Sequence, residues 1–200
     1  MTAVGPDAVA FVIGGETHPS VAVAALSNGR IVRRIPFDKG RLEQMASSPD
    51  GKTLYCAASG SIWAVTANSE VHRQSAGNFV SVEPGGQSLL VVVREAPNTR
   101  LVRVPLNGGP EQQLRVPGPL TLGYMIDNDG IRNGRLLAPG SGPTWYWPPI
   151  IFDLGAGKSA RIPLEYVSDF HHMSWTPDGK VMACALVWRS NMWKFTRVSH

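Results

Sequence analysis

Met45-Ala46-Ser47-Ser48-Pro49-Asp50-Gly51-Lys52 returns later in the chain as His172-Met173-Ser174-Trp175-Thr176-Pro177-Asp178-Gly179-Lys180. Each copy is followed by an apolar run and then by one centred on an aromatic residue. Pro presets the first turn angle, Asp caps the turn through its side chain, and Gly takes the positive φ that other residues resist. Each copy therefore reads as a tight turn between two strands, and a turn repeated with its flanking strands marks a repeat fold.

The turn recurs more loosely at Pro84-Gly85-Gly86 and Asn128-Asp129-Gly130. The spacings are 35 residues (Pro49 to Pro84), 44 (Pro84 to Asn128) and 49 (Asn128 to Pro177). Their mean of about 43 is close to the length of a four-stranded propeller repeat. After each turn comes a second strand, Thr53 to Ala58, Ser88 to Val93, Arg135 to Ala138 and Val181 to Val187. A third strand forms the cleanest column: Ile62-Trp63-Ala64-Val65, Leu101-Val102-Arg103-Val104, Ile151-Phe152-Asp153-Leu154 and Met192-Trp193-Lys194-Phe195. Three packed positions and one tolerant one describe a strand sandwiched between neighbouring sheets. Further hairpin signals, Ala67-Asn68, Asn107-Gly108-Gly109 and Gly155-Ala156-Gly157, lead into short fourth strands ending near Gln74, Leu114 and Ile162. Four antiparallel strands per unit predict an all-β propeller.

Counting back one repeat from Pro49 reaches Pro6-Asp7, which opens Ala8 to Ile13, then Val21 to Leu26 and Arg30 to Ile35. A further unit is therefore expected at the start, without its innermost strand. The last unit stops after Met192 to Val198, without its fourth. The expected organisation is one propeller domain over residues 1–200, with about five blades or part-blades near residues 6–38, 42–75, 78–115, 121–163 and 169–200. Two arrangements fit: a compact ring with an irregular seam, or part of a ring of six to eight blades.

Of the 200 residues 43% are apolar and 17% charged, a balance that suits strands buried on both faces. The net charge of +4 is spread along the whole length, whereas a nucleic-acid binder concentrates its charge in a stripe. No nucleic-acid partner is expected. Met1 to Glu16 has no basic run before its short apolar stretch, and no apolar run approaches the roughly 18 residues needed to cross a bilayer. No address and no membrane insertion are expected of this segment. Cys56 and Cys184 each fall six residues after the Asp of the repeated turn, which predicts the same place in the same strand and two small buried thiols rather than a disulfide.

Ser48-Pro49-Asp50-Gly51-Lys52 followed by Ile62-Trp63 resembles the TolB-type, WD-like propeller repeat. Leu101-Val102-Arg103-Val104-Pro105-Leu106-Asn107-Gly108-Gly109-Pro110 resembles its third-to-fourth strand hairpin, and Arg189 to Phe195 its closing blade. The resemblance runs from about residue 42 onward; Asn128-Asp129-Gly130 and a long insertion after it depart from the pattern. It implies relatives among periplasmic partner-binding domains, sensor regions of bacterial Ser/Thr kinases and non-catalytic domains beside peptidases. It thus implies binding of a protein or peptide, an extracytoplasmic setting, no cofactor, and a kinase or membrane domain ahead of such a module.

Loops joining second to third strands, and fourth strands to the next blade, emerge opposite the repeated turns, so that face is where insertions would build a site. The loop Pro139-Gly140-Ser141-Gly142-Pro143-Thr144-Trp145-Tyr146-Trp147-Pro148-Pro149 holds three consecutive aromatics, Trp145, Tyr146 and Trp147, in a rigid frame. Two readings fit: a stacking platform for a ligand, or a plug folded onto the sheet. His171 and His172 open the last innermost strand beside Asp169, so one of the pair should face the channel; with no further His in fixed relation to them, a structural role competes with a site. Trp188 and Arg189, with Arg94 to Arg100, lie on loops of the same face and offer donors to an anion, or are ordinary solvated loops.

Catalytic look-alikes fall away on context. Gly155-Ala156-Gly157-Lys158-Ser159 ends like a phosphate loop but sits between two strands with Phe152 at the required earlier Gly. Asp127-Asn128-Asp129-Gly130 begins like a calcium loop, yet Arg132 stands where Gly is needed and Ala138 where the bidentate Glu belongs. No catalytic residue is assigned. A binding or sensing module is expected; a peptidase- or lyase-like propeller enzyme and an architectural spacer are the alternatives.

Overall fold

Leu89, Leu90, Val91, Val92 and Val93 are apolar without alternation and nearly inaccessible, which requires a sheet covered on both faces. Leu89, Val91 and Val93 join one core cluster with Ala46, Tyr55 and Val80, while Leu90 and Val92 join another with Leu136, Ile150 and Phe152. Odd and even residues of one strand thus bury against two different neighbours, each full burial of a Leu or Val stabilising by about 1.5–3 kcal/mol.

The computed structural model describes residues 1–15, 19–95, 98–116, 121–122, 126–141, 146–165 and 168–186. Five sheets follow one another along the chain. The first contains β1 (Thr2–Val4), β2 (Ala8–Ile13), β3 (Ser20–Ala25) and β4 (Ile31–Pro36); the second β5 (Leu42–Ser47), β6 (Leu54–Ala58), β7 (Ser61–Val65) and β8 (Val71–Ala76). The third contains β9 (Phe79–Val82), β10 (Ser88–Glu95), β11 (Asn98–Pro105) and β12 (Gln112–Leu114). The fourth is built from β13 (Thr121–Leu122), β14 (Ile131–Arg132), β15 (Arg135–Ser141), β16 (Pro149–Asp153) and β17 (Lys158–Arg161), and the fifth from β18 (Asp169–Trp175) and β19 (Val181–Leu186). All pairings are antiparallel. The four interfaces between successive sheets each hold one apolar cluster. β1, β5, β9, the 3-10 turn Asn128–Gly130 and β18 are the innermost elements and pack in succession around an axis.

The structure corrects the sequence reading in three places. The first sheet has an innermost strand: Thr2, Ala3 and Val4 pair with Ala10, Val9 and Ala8. Three residues are too few to show an alternation, so the strand was invisible to periodicity. Second, Asn128-Asp129-Gly130 is not the hairpin turn of its sheet. That turn is Asn133-Gly134, both at positive φ (49° and 71°), between the paired Arg132 and Arg135. The innermost strand here is split into β13 and β14, with the 3-10 turn inserted between them. Third, Cys56 and Cys184 are not equivalent. Met45 pairs with Cys56, but the corresponding Met173 pairs with Ala183. The first hairpin closes from Ser48 N to Thr53 O, the last from Thr176 N to Lys180 O, one residue shorter. A one-residue change puts a side chain on the opposite face; Cys56 is buried and Cys184 exposed, both as free thiols.

Among the described residues no strand of the fifth sheet pairs with the first. The sheets form an open arc with apolar residues exposed at both ends, Val12, Leu26, Ile31 and Val32 on one and Val181, Met182 and Leu186 on the other. The expected third strand of the last blade, Met192 to Phe195, lies outside the described residues, and no described helix is long and apolar enough to cross a membrane.

Candidate functional site

The innermost strand of a blade exposes one row of backbone groups to the axis, and those not paired with strand neighbours need partners from elsewhere. Polar side chains of adjacent blades supply them. Gln44 accepts from Val80 N through Oε1 (2.8 Å) and donates to Ile126 O; Asn128 Oδ1 accepts from Val82 N (3.1 Å); Ser81 Oγ donates to Asp127 O (3.1 Å). Asp127 Oδ2 accepts the N–H of the buried Met173 (2.7 Å), and its Oδ1 accepts from His172 Nδ1 (2.9 Å). The inserted 3-10 segment thus stitches the third, fourth and fifth sheets together, and orients His172 as it does so.

These innermost elements wall a cavity of about 810 Å³. Its lining includes Glu43, Asp127, Asp129, His172, Met45 and Met173, and between the arc ends it reaches Leu26 and Cys184. A second cavity of about 550 Å³ lies at its mouth on the face of the repeated turns, bordered by Pro49, Pro84, Pro177 and Arg132. The two share Asn128, Asp129, Ser174 and Met182 and so adjoin each other. At its rim Arg132 Nη1 donates to Thr176 O (2.5 Å) and Pro177 O (3.0 Å), which holds the fifth sheet's turn against the fourth sheet.

His171 and His172 point to different places, and the pairing explains how. Phe170 pairs with Ala185 and Met173 with Ala183, so the two histidines stand opposite the single Cys184 in a β-bulge. His172, exposed, lines the axial cavity. His171, half-buried, lies with its ring 5.1 Å from that of Trp147 at a 55° tilt. Trp147 is fixed further: its N–H donates to Asp169 Oδ1 (2.8 Å) and its carbonyl accepts from Phe170 N (3.1 Å). Trp147, at the described end of the aromatic loop, is therefore docked on the innermost strand of the next sheet and meets His171 there. Tyr146 is half-buried beside it. Trp145, Trp188 and Arg189 lie outside the described residues. The expected loop from Arg94 to Arg100 is instead mostly strand: Arg94 lies in β10 and Arg100 in β11, paired with Val93, and Arg100 is bound by Glu95 through both carboxylate oxygens (2.6 and 3.2 Å).

Asp127, Asp129, Glu43 and Gln44 are the axial residues that sequence reasoning missed. Asp127 stands in the calcium-loop look-alike, which supplies no ligand set, and no periodicity marks a polar residue whose partners come from other blades. Among the described residues no three His, Cys, Asp or Glu side chains gather closely enough to hold a metal ion. The look-alike at Gly155 is a hairpin turn in which Asp153 Oδ1 accepts from Gly155 N (3.0 Å) and Ala156 N (2.7 Å).

No family model matches the chain, and no curated protein matches it. Solved structures do. TolB from Acinetobacter baumannii matches at TM-score 0.67 with 19% identity, over 88% of this chain and 46% of that one. The nidogen/laminin complex matches at TM-score 0.69 with 14% identity, over 92% and 70%. Puromycin hydrolase matches at TM-score 0.58 with 14% identity, over 90% and 32%. The chain thus spans about half the length of TolB and a third of that of the hydrolase. The fold it shares with them is the TolB-type, WD-like β-propeller.

Proposed function

We propose that this propeller segment is a binding module without chemistry of its own, which takes a peptide or a small ligand at the axial cavity and the loop face adjoining it. One observation carries the reading. Two consecutive residues of β18 face two sites, His172 the axial cavity and His171 the docked Trp147, so a ligand seated on the axis and one seated on the loop face meet the same bulged strand. A cavity of about 810 Å³ has the size of a ligand pocket, with apolar walls and a few polar groups to orient its occupant. With this reading go the extracytoplasmic setting and the partner-binding or sensing role that the resemblance implies.

The test is a screen of short peptides and small molecules against the chain, with binding read by titration calorimetry. Hits whose affinity falls at least about tenfold in both His172→Ala and Trp147→Ala, variants whose melting temperature stays within a few degrees of the parent, support the site. Hits indifferent to both variants refute it.

A second reading rests on the same pair. Asp127 fixes the His172 ring through Nδ1 at the cavity wall, the way a carboxylate orients the histidine of a general base; puromycin hydrolase is among the similar structures. Esterase, peptidase and lyase substrates should all remain unturned. Turnover that disappears in His172→Ala would replace the binding reading by an enzymatic one.

A further inference from the structure

The axial cavity gathers the methionines of the chain. Six are scattered through the sequence, and all four among the described residues, Met1, Met45, Met173 and Met182, line that one cavity. They lie in or next to strands of the first, second and fifth sheets, so the packing of blades brings them together, not their order in the chain. Met45 and Met173 are buried at corresponding places in the repeat, whereas Met1 and Met182 are exposed. An unbranched thioether chain changes rotamer at little cost and is polarisable. A wall of such chains moulds itself to apolar occupants of differing shape.

Charge is a second and independent feature of the same wall. The chain carries 19 Lys and Arg against 15 Asp and Glu, yet the described lining holds the carboxylates of Glu43, Asp127 and Asp129 and no Lys or Arg side chain. Asp127 is engaged with His172 and with the N–H of Met173. Glu43 and Asp129 are exposed, and among the described residues no ion pair engages either. His172, when protonated, is offset by Asp127 beside it, and the Met1 amino group offsets at most one carboxylate more. The lining therefore stays negative. A concave wall carrying one sign of charge focuses its field on the space it encloses and concentrates ions of the other sign.

We propose that the axial cavity selects a hydrophobic ammonium ion, its apolar body against the methionine wall and its charge toward Glu43 and Asp129; this rests on the cavity being the ligand site. The ammonium is that of a free amine or of a lysine within an apolar peptide, and the chemistry recognised is the same in both.

Phenylbutylamine, phenylbutanol and phenylbutyrate share one apolar body and differ in charge, and each can be titrated into the whole chain with its methionine methyl groups isotopically labelled for NMR. The amine should shift the Met45, Met173 and Met182 signals and bind at least about tenfold more tightly than the alcohol, with the carboxylate weakest. Because salt screens exposed charges, that preference should shrink as sodium chloride is raised. Glu43→Gln combined with Asp129→Asn should remove most of the preference and leave alcohol binding unchanged, whereas Met182→Ser should weaken amine and alcohol alike. An acetylated Leu-Lys-Phe amide separates the two sources: outcompeting phenylbutylamine makes the ammonium a lysine's, and failing to compete makes it a free amine's. Equal affinity for amine and alcohol at low salt, or a preference untouched by the double substitution, would overturn the selection while leaving the cavity a ligand site. Methionine signals that none of the three probes moves would overturn it as well, and the site itself would then stand or fall by whether other ligands depend on His172 and Trp147.

Discussion

Asp127 holds His172 and Met173 at once, one carboxylate oxygen taking the imidazole Nδ1–H at 2.9 Å and the other the backbone N–H of the next residue at 2.7 Å. The two bonds differ in weight. Met173 is buried, so its N–H has no water to fall back on, whereas the His172 side chain is 65% exposed. Asp127→Ala should therefore cost about 2 kcal/mol in urea unfolding, and Asp127→Asn, which keeps one acceptor, less. His172→Ala should change stability by no more than about 0.5 kcal/mol. Equal losses in Asp127→Ala and His172→Ala would show that the pair, not the backbone contact, is what holds the fifth sheet.

The placement of the fourth sheet's turn has its own signature. Asn133 and Gly134 sit at positive φ, and an added Cβ at Gly134 meets nothing within 4 Å. The cost of Gly134→Ala is thus conformational only, about 1 kcal/mol, and Asn133→Val, with its branched Cβ, should cost about 1.5 kcal/mol. Asp129, exposed, stands in the turn that the repeat spacing marks, and its replacement by Ala should cost less than about 0.5 kcal/mol. Chemical denaturation of the three variants decides the point; a larger loss at Asp129 would return the turn to residues 128–130.

Glu83 and Arg103 tie the end of β9 to β11 by two parallel bonds of 2.8 Å, and Ser88 Oγ adds a third to the carboxylate. Burial pushes the Glu83 carboxyl up, but these bonds together outweigh it and hold the group below its ordinary value. Because the folded value is the lower one, the contribution is complete above the unfolded carboxylate range, near pH 4.3, and is lost as pH falls through the folded value. Glu83→Gln should destabilise by about 2 kcal/mol at neutral pH. Its melting temperature should then fall less than the parent's between pH 6 and pH 3, as differential scanning calorimetry would show. Parallel curves for the two proteins would contradict the assignment.

How far this architecture was legible depends on where each signal is local. Pro49-Asp50-Gly51 and Pro177-Asp178-Gly179 are turns closed by their own residues: Ser48 Oγ and Thr176 Oγ1 donate to Asp50 Oδ1 (2.6 Å) and Asp178 Oδ1 (2.5 Å). Such chemistry is written in a few adjacent positions, and so is the apolar column of β7, β11 and β16. Asn133-Gly134 is an equally local turn signal, but the repeat spacing points to Asn128 instead. The axial residues are another matter. Gln44 finds Val80 and Ile126, and Asp127 finds Met173, across separations that only the packing of one blade against the next creates. A sequence period reports which faces are buried, not which polar group answers an N–H in the next blade. The contact of Trp147 with His171 likewise joins two features that the sequence marks separately and cannot connect.

The two thiols offer the sharpest check on register. Cys56 lies at 0% exposure in the core between the first two sheets, where burial pushes its thiol up to about 12, so thiolate is scarce and access is blocked. Cys184, shifted to the other face by the shorter hairpin of the fifth sheet, opens on the axial cavity. A small alkylating reagent at mildly alkaline pH should label one cysteine quickly, located at Cys184 by peptide mass analysis, and reach Cys56 only when denaturant unfolds the chain. Lengthening the last hairpin by one residue, with a Thr inserted after Lys180, restores the loop length of the first. If loop length sets the register, Cys184 then pairs opposite Met173, turns inward and loses its fast labelling. Rapid labelling that persists in the insertion variant would show that something other than the hairpin exposes Cys184.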